Sequence, residues 1–177
     1  MSIVTINNRS INRSDTASAD QVWTATSATA SDFQAAVGGK VLQCITATDV
    51  TVRSTTSTSF VTGSNTLSVD ITPSATSSKI LVFVSTTVST TGGTPGEYTI
   101  YRDSTNLSTA TSSTGFLAVT QENIVSNLGL HVLDSPSSTS ELTYQPYMSV
   151  GGSGTVYMGS DSYNDAMSTI TCMEIGA

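Results

Sequence analysis

From Gly39 to the C-terminus the chain is written in short β-prone runs with turn residues between them. The runs are Lys40 to Ala47, Phe60 to Val61, Leu67 to Ile71, Lys79 to Val88, Glu97 to Arg102, Gly115 to Gln121, Asn127 to Leu133, Leu142 to Val150, Thr155 to Met158 and Ser168 to Ile175. Runs of Val, Ile, Thr and Tyr at this spacing suit pleated, half-buried surfaces, and every joint between them reads as a loop with no helix. The expected class is all-β, a sandwich or barrel of about ten strands and not a parallel sheet.

The joints have chemical causes. Pro73 cannot donate to a ladder, Gly92-Gly93 and Gly151-Gly152 permit positive φ, and Asp134-Ser135-Pro136 opens a turn. Within the runs, Ile80-Leu81-Val82-Phe83-Val84 is continuously apolar, which predicts a strand covered on both faces, central in its sheet or under a subunit interface. Leu128-Gly129-Leu130-His131-Val132 alternates, which predicts a half-exposed strand.

Residues 1–38 read differently, as an extended arm preceding the domain at 39–177. They hold a near-repeat, Ile6-Asn7-Asn8-Arg9-Ser10 followed by Ile11-Asn12-Arg13-Ser14-Asp15, and then a stretch rich in Ala, Ser and Thr. Such a segment has too few apolar residues for a core of its own. Its large apolar side chains, Ile6, Ile11, Val22, Trp23 and Phe33, are therefore the candidates for docking on something outside the segment. Each contributes roughly 1.5–3 kcal/mol if buried, before ordering costs of similar size, so docking is expected to need the avidity of several copies. Ser31-Asp32-Phe33-Gln34 has capping-box form with Gly38 as a stop, which predicts one short helical turn.

Charge excludes some functions. Only 11% of residues are charged, against about 25% in an average domain, and Ser and Thr supply about a third of the chain, so the surface is mostly hydroxyl. A net charge of −7, with six scattered Lys and Arg, opposes nucleic-acid binding. No apolar stretch approaches the roughly 18 residues that span a bilayer, so no membrane role is expected. The start, Met1-Ser2-Ile3-Val4-Thr5, lacks the form of a secretory signal; synthesis in a cytosol, from the chain's own Met, is the expectation.

Neither catalytic nor metal chemistry finds a motif. His131 is the sole histidine, on an alternating strand, with no Gly-x-Ser-x-Gly elbow in the chain, so an ordinary strand histidine is expected. Asp134, Glu141 and Glu122 lack features of a paired-carboxylate site and read as solvated loop charges. Asp161-Ser162-Tyr163-Asn164-Asp165 offers oxygen ligands for calcium but misses the EF-hand pattern, and a hairpin loop explains it equally. Gly151-Gly152-Ser153-Gly154 lacks the Lys-Ser/Thr of a phosphate cradle and reads as a turn. No cofactor is expected.

Cys44 and Cys172 lack metal-site spacing and read as two small buried hydrophobes. Tyr98, Tyr101, Tyr144, Tyr147, Tyr157 and Tyr163 read as core or subunit-interface residues, with sugar stacking as the alternative. The run Ser54 to Ser59 reads as exposed β surface, with glycan binding as its alternative.

Five segments taken together carry a resemblance: Gly39-Lys40-Val41-Leu42-Gln43; Ile71-Thr72-Pro73-Ser74-Ala75-Thr76-Ser77-Ser78-Lys79-Ile80-Leu81-Val82; Ile100-Tyr101-Arg102-Asp103-Ser104; Leu133-Asp134-Ser135-Pro136; and Ser168-Thr169-Ile170-Thr171-Cys172-Met173-Glu174-Ile175. In order and spacing the chain from Gly39 onward resembles the β-rich domain at the ends of fibre and other surface proteins of tailed phages, especially marine and cyanobacterial ones.

Such domains are similar to the ten-stranded jelly roll of the tumour-necrosis-factor and complement-head type, in which first and last strands are neighbours and the assembly is usually a trimer. The resemblance thus implies an antiparallel jelly-roll sandwich, a homotrimer, and Cys44 and Cys172 on adjacent strands, expected to be reduced. It also implies a non-enzymatic virion structural protein, made in the host cytoplasm and displayed on the particle surface. The shortness of the arm favours a capsid-decorating (cement) or short head-fibre protein, held to the major capsid protein or other virion proteins by residues 1–38. The alternative is a tail-fibre or receptor-binding tip whose loops, Thr90 to Gly96 and Ser104 to Gly115, touch a host surface glycan.

Overall fold

The computed structural model describes residues 3–6, 9–12, 21–25, 31–35, 39–108, 117–119, 124–159 and 166–176. Among these the chain is all-β, without a helix, and every strand pair is antiparallel. It divides into two compact units, Met1–Gly38 and Gly39–Ala177.

In the first unit β1 (Ile3–Ile6) pairs with β2 (Arg9–Asn12), with Val4 opposite Ile11. β3 (Gln21–Ala25) pairs with β4 (Ser31–Ala35), with Trp23 opposite Phe33. Two points of the sequence reading change here. Among its described residues the arm holds two antiparallel strand pairs, and the capping-box segment from Ser31 is a strand and not a helical turn. A capping box satisfies two backbone donors within its own turn, whereas the Gln21–Ala25 run supplies a full ladder partner with β-prone Val22, Trp23 and Thr24. Ladder pairing wins over a local cap.

The second unit contains twelve strands among its described residues: β5 (Val41–Asp49), β6 (Arg53–Thr55), β7 (Val61–Thr62), β8 (Val69–Ile71), β9 (Lys79–Thr91), β10 (Gly96–Arg102), β11 (Thr105–Asn106), β12 (Leu117–Val119), β13 (Ser126–Asp134), β14 (Leu142–Val150), β15 (Thr155–Met158) and β16 (Ser168–Ile175). The short β6 and β11, three and two residues long, have no counterpart among the runs read from the sequence. One sheet runs β5-β16-β9-β15-β6 with β13 on the other edge of β9, and a second runs β11-β10-β14-β7 with β12 on β10 and β8 on β14. The first and last strands of the unit, β5 and β16, are therefore neighbours.

Both sheets contribute to one core. Val82 and Val84 from β9, Leu130 from β13 and Ile170 from β16 meet Ile100 and Tyr144 from the second sheet. Burying such side chains is worth roughly 1.5–3 kcal/mol each, the main favourable term for a hydroxyl-rich chain with few ion pairs. Two glycine turns close one end. A Cβ on Gly92 (φ +81°) would lie 2.8 Å from the Ser153 carbonyl, and one on Gly154 (φ +145°) would lie 2.2 Å from the Thr91 carbonyl. The β9–β10 and β14–β15 turns can pack back to back only because neither residue carries a side chain.

β13 alternates as its sequence predicts, with Leu128 and Leu130 inside and Gly129 and His131 outside. β9 sits at the centre of its sheet, and within one chain its outer face is open. Ile80, Val82 and Val84 are buried, while Phe83 is 43% exposed. Continuous apolarity here records two faces of different kinds, a sealed inner one and an open outer one.

Candidate functional site

The segments that carry the resemblance meet in space as two polar clamps. Glu174, buried in β16, accepts the Ser74 backbone N–H (2.7 Å) and hydroxyl (2.6 Å) on Oε1 and the Gln43 amide (2.7 Å) on Oε2. The same Gln43 amide donates to the Thr72 carbonyl. Burial alone would raise the carboxyl's pKa, but these donors overcome it and hold it at about 2. The loop after β8 is thereby fastened to the edge of the first sheet.

In the second clamp the Arg102 guanidinium contacts both carboxylate oxygens of Asp134, at 2.9 and 2.7 Å, and the Tyr144 hydroxyl donates to the same carboxylate at 2.7 Å. This ties β13 of the first sheet to β10 and β14 of the second. Burial, and then the bond to Asp134, push the Tyr144 hydroxyl well above its ordinary pKa. Asp134 is thus an inter-sheet anchor and not a solvated loop charge. The neighbouring turn is closed by Asp103, at φ +51°, whose carboxylate accepts the Thr143 N–H. Glu141 is exposed, as expected of a loop charge.

A third anchor escaped the sequence reading. Asp49, 6% exposed, accepts the Thr51 N–H, the Ser64 hydroxyl and the Arg53 Nε–H. Burial opposes ionisation, but the bonds from Ser64, Thr51 and Arg53 prevail and lower its pKa. The signal available in sequence was the Asx-turn pattern Asp49-Val50-Thr51.

Among the described residues the catalytic and metal candidates do not converge. His131 stands on the outer face of β13, opposite Phe83, with ring centroids 6.3 Å apart. Among the described residues no group of three or more His, Cys, Asp or Glu could hold a metal. Glu122, Tyr163 and the rest of Asp161 to Asp165 lie outside the described residues, as does most of the Ser104 to Gly115 loop. Gly151 to Gly154 is the turn between β14 and β15. No helix among the described residues is long and apolar enough to cross a membrane.

The cysteines differ from each other. Cys172 is buried, and burial, with Cys44 a lesser contributor, pushes its thiol up to about 12. Cys44 is exposed, which corrects its reading as a buried hydrophobe. The two lie on adjacent strands, but Cys44 pairs with Met173 and Cys172 with Ile45, so they point to opposite faces. Of the hydroxyl run, only Ser54 and Thr55 lie in a strand. Beyond them Ser57 bonds to Thr55 and Ser59, so these hydroxyls close their own turn and are not β surface.

Two outer faces remain. On the first sheet, register aligns Leu133, Leu81, Met173 and Cys44 in one row and His131, Phe83, Thr171 and Thr46 in the next. None of these eight is Asp, Glu, Lys or Arg; Leu133 is 52% exposed. On the second sheet Tyr101 and Tyr147 stack at 4.0 Å with planes 20° apart, and Phe60 lies 6.3 Å from Tyr101. Tyr98 and Tyr144, by contrast, are buried in the core.

No family model matches the chain, and no curated protein matches it.

Proposed function

We propose that the chain is a structural protein of a bacteriophage particle, displayed on the virion surface as a homotrimeric jelly roll, in the manner of a capsid-decorating or short head-fibre protein. The observation that carries this reading is the open face of β13, β9, β16 and β5. Exposed leucine and phenylalanine grouped in uncharged rows on an otherwise hydroxyl-rich surface mark a contact surface. A chain of net charge −7 repels its own copies, so identical subunits meet best through the part of the surface that bears no charge. The face is then satisfied by neighbouring copies, and the mechanism is burial.

The jelly-roll reading is supported by the pairing of the first and last strands and by two antiparallel sheets around one core. Residues 1–38 form a separate unit containing Ile6, Ile11, Val22, Trp23 and Phe33, and attach the trimer to the major capsid protein or other virion proteins. Sedimentation velocity tests the assembly, a trimer being expected and a stable monomer refuting it. Labelled antibody on intact virions tests the location: a regular head lattice is expected, and labelling confined to the tail would overturn the head assignment.

A further inference from the structure

We infer that the cleft between strands β6 and β7 binds the carboxylate of an acidic sugar, a uronic or sialic acid residue.

β6 belongs to the first sheet and β7 to the second, and among the described residues each has a single ladder partner, β15 and β14 respectively. The cleft between them, of about 410 Å³, falls in the size range of small-ligand sites. Buried Gly63 and Met148 form its inner end. A Cβ on Gly63 would lie 2.7 Å from the Met158 methyl, and the Gly63 N–H bonds to the Pro146 carbonyl at 2.8 Å, so the backbone there is fixed. Next to it the Ser64 hydroxyl accepts the N–H groups of Thr66 and Leu67 and donates to Asp49, which closes the loop after β7 on itself. The recess is therefore built before any ligand arrives.

Arg53 is the charged residue of the lining, with its side chain 39% exposed. Asp49 takes its Nε–H, and no other acceptor among the described residues takes the rest of the guanidinium. Both terminal nitrogens are thus left as a fork held from the Nε side, the arrangement that meets a carboxylate bidentately. Ser54, Thr62 and Asn65 line the same cleft, and their side chains make no hydrogen bond among the described residues. One cation among neutral hydroxyl and amide donors matches one negative charge among hydroxyls, which is the chemistry of a sugar acid. A polyanion would instead meet the repulsion of a chain of net charge −7. Asp49 offsets part of the Arg53 charge, so recognition rests on hydrogen-bond geometry and a single site is expected to bind in the millimolar range.

None of the lining residues belongs to the rows of the proposed assembly face, so the site stands whether or not the chain trimerises. Saturation-transfer NMR on the full chain tests it, with methyl glucuronide, methyl sialoside and, as the match lacking a carboxylate, methyl glucoside. A triglutamate peptide separates a sugar acid from an acidic peptide. Transfer to at least one acidic glycoside is expected, with an affinity about tenfold or more above that for methyl glucoside. Arg53→Gln should abolish it. Because Arg53 also holds Asp49, a second variant, Thr62→Val with Asn65→Leu, leaves that network in place and should weaken binding about tenfold with an unchanged strand circular-dichroism spectrum. The inference is overturned by transfer to neither acidic glycoside, by methyl glucoside or triglutamate binding as tightly as the acidic glycosides, or by an affinity unchanged in either variant.

Discussion

Glu174 and Ser74, one hundred residues apart, form a two-point clamp in which one carboxylate oxygen takes both the backbone N–H and the hydroxyl of the serine. The bond joins the last strand of the domain to the loop after β8, so it reports on the whole fold. Charge-assisted bonds of this kind are short and roughly twice as strong as neutral ones. Glu174→Gln is expected to destabilise the protein by about 1–3 kcal/mol in urea unfolding, through weakened acceptance at a buried position.

The same clamp sets an acid limit. The Glu174 carboxyl is held at about 2 in the fold against an ordinary value of 4.5, so the unfolded chain binds the proton first as pH falls. Its contribution is complete above pH 4.5 and is lost between there and about 2. Asp49 acts in the same sense. The melting temperature should fall through that window, and less steeply in Glu174→Gln; an identical slope in the variant would show that Glu174 is not the titrating group.

Arg102→Leu leaves the Asp134 carboxylate at the sheet junction with Tyr144 as its remaining partner. The expected cost is about 2–4 kcal/mol, and Asp134→Leu in the same chain should recover part of it, since an unpaired charge costs more than an apolar pair. A double-mutant cycle measures the coupling.

Phe83→Asp places a charge on the open face without touching the core. As an isolated protomer its unfolding free energy should change by less than about 0.5 kcal/mol, as surface substitutions do. Sedimentation should shift from trimer to monomer.

Cys44 and Cys172 make a paired reporter. In Phe83→Asp, maleimide should label Cys44 and spare Cys172, whose thiol is buried; in the wild type, assembled as proposed, labelling of Cys44 should slow. Mass spectrometry of alkylated, unreduced protein should find no Cys44–Cys172 bridge, because the two side chains leave opposite faces of the sheet.

Removing residues 1–38 should leave an assembled second unit that no longer decorates capsids. Truncated protein that binds particles as well as the full chain would remove the attachment role from Ile6, Ile11, Val22, Trp23 and Phe33.

Local pattern carried much of this fold. Leu142–Val150, Thr155–Met158 and Ser168–Ile175 are strands where the sequence places them, and Leu128 to Val132 alternates as written, because a strand's inward and outward residues are recorded at a period of two. What no local window holds is which strands become neighbours. Ser31 to Gln34 satisfies a helix-cap pattern, yet Gln21–Ala25 claims it for a ladder. Asp134 has the look of a turn charge until Arg102 and Tyr144 arrive from the other sheet. Tyr101 and Tyr147 become a stacked pair, and Leu81, Leu133 and Met173 a single row, only through register. The sequence by itself determined the class and the longer strands of the second unit, since those follow from side-chain alternation and turn chemistry. The tertiary structure decided the clamps and the two open faces, since those depend on contacts between residues tens of positions apart, whose pairing is chosen by the burial of the whole core.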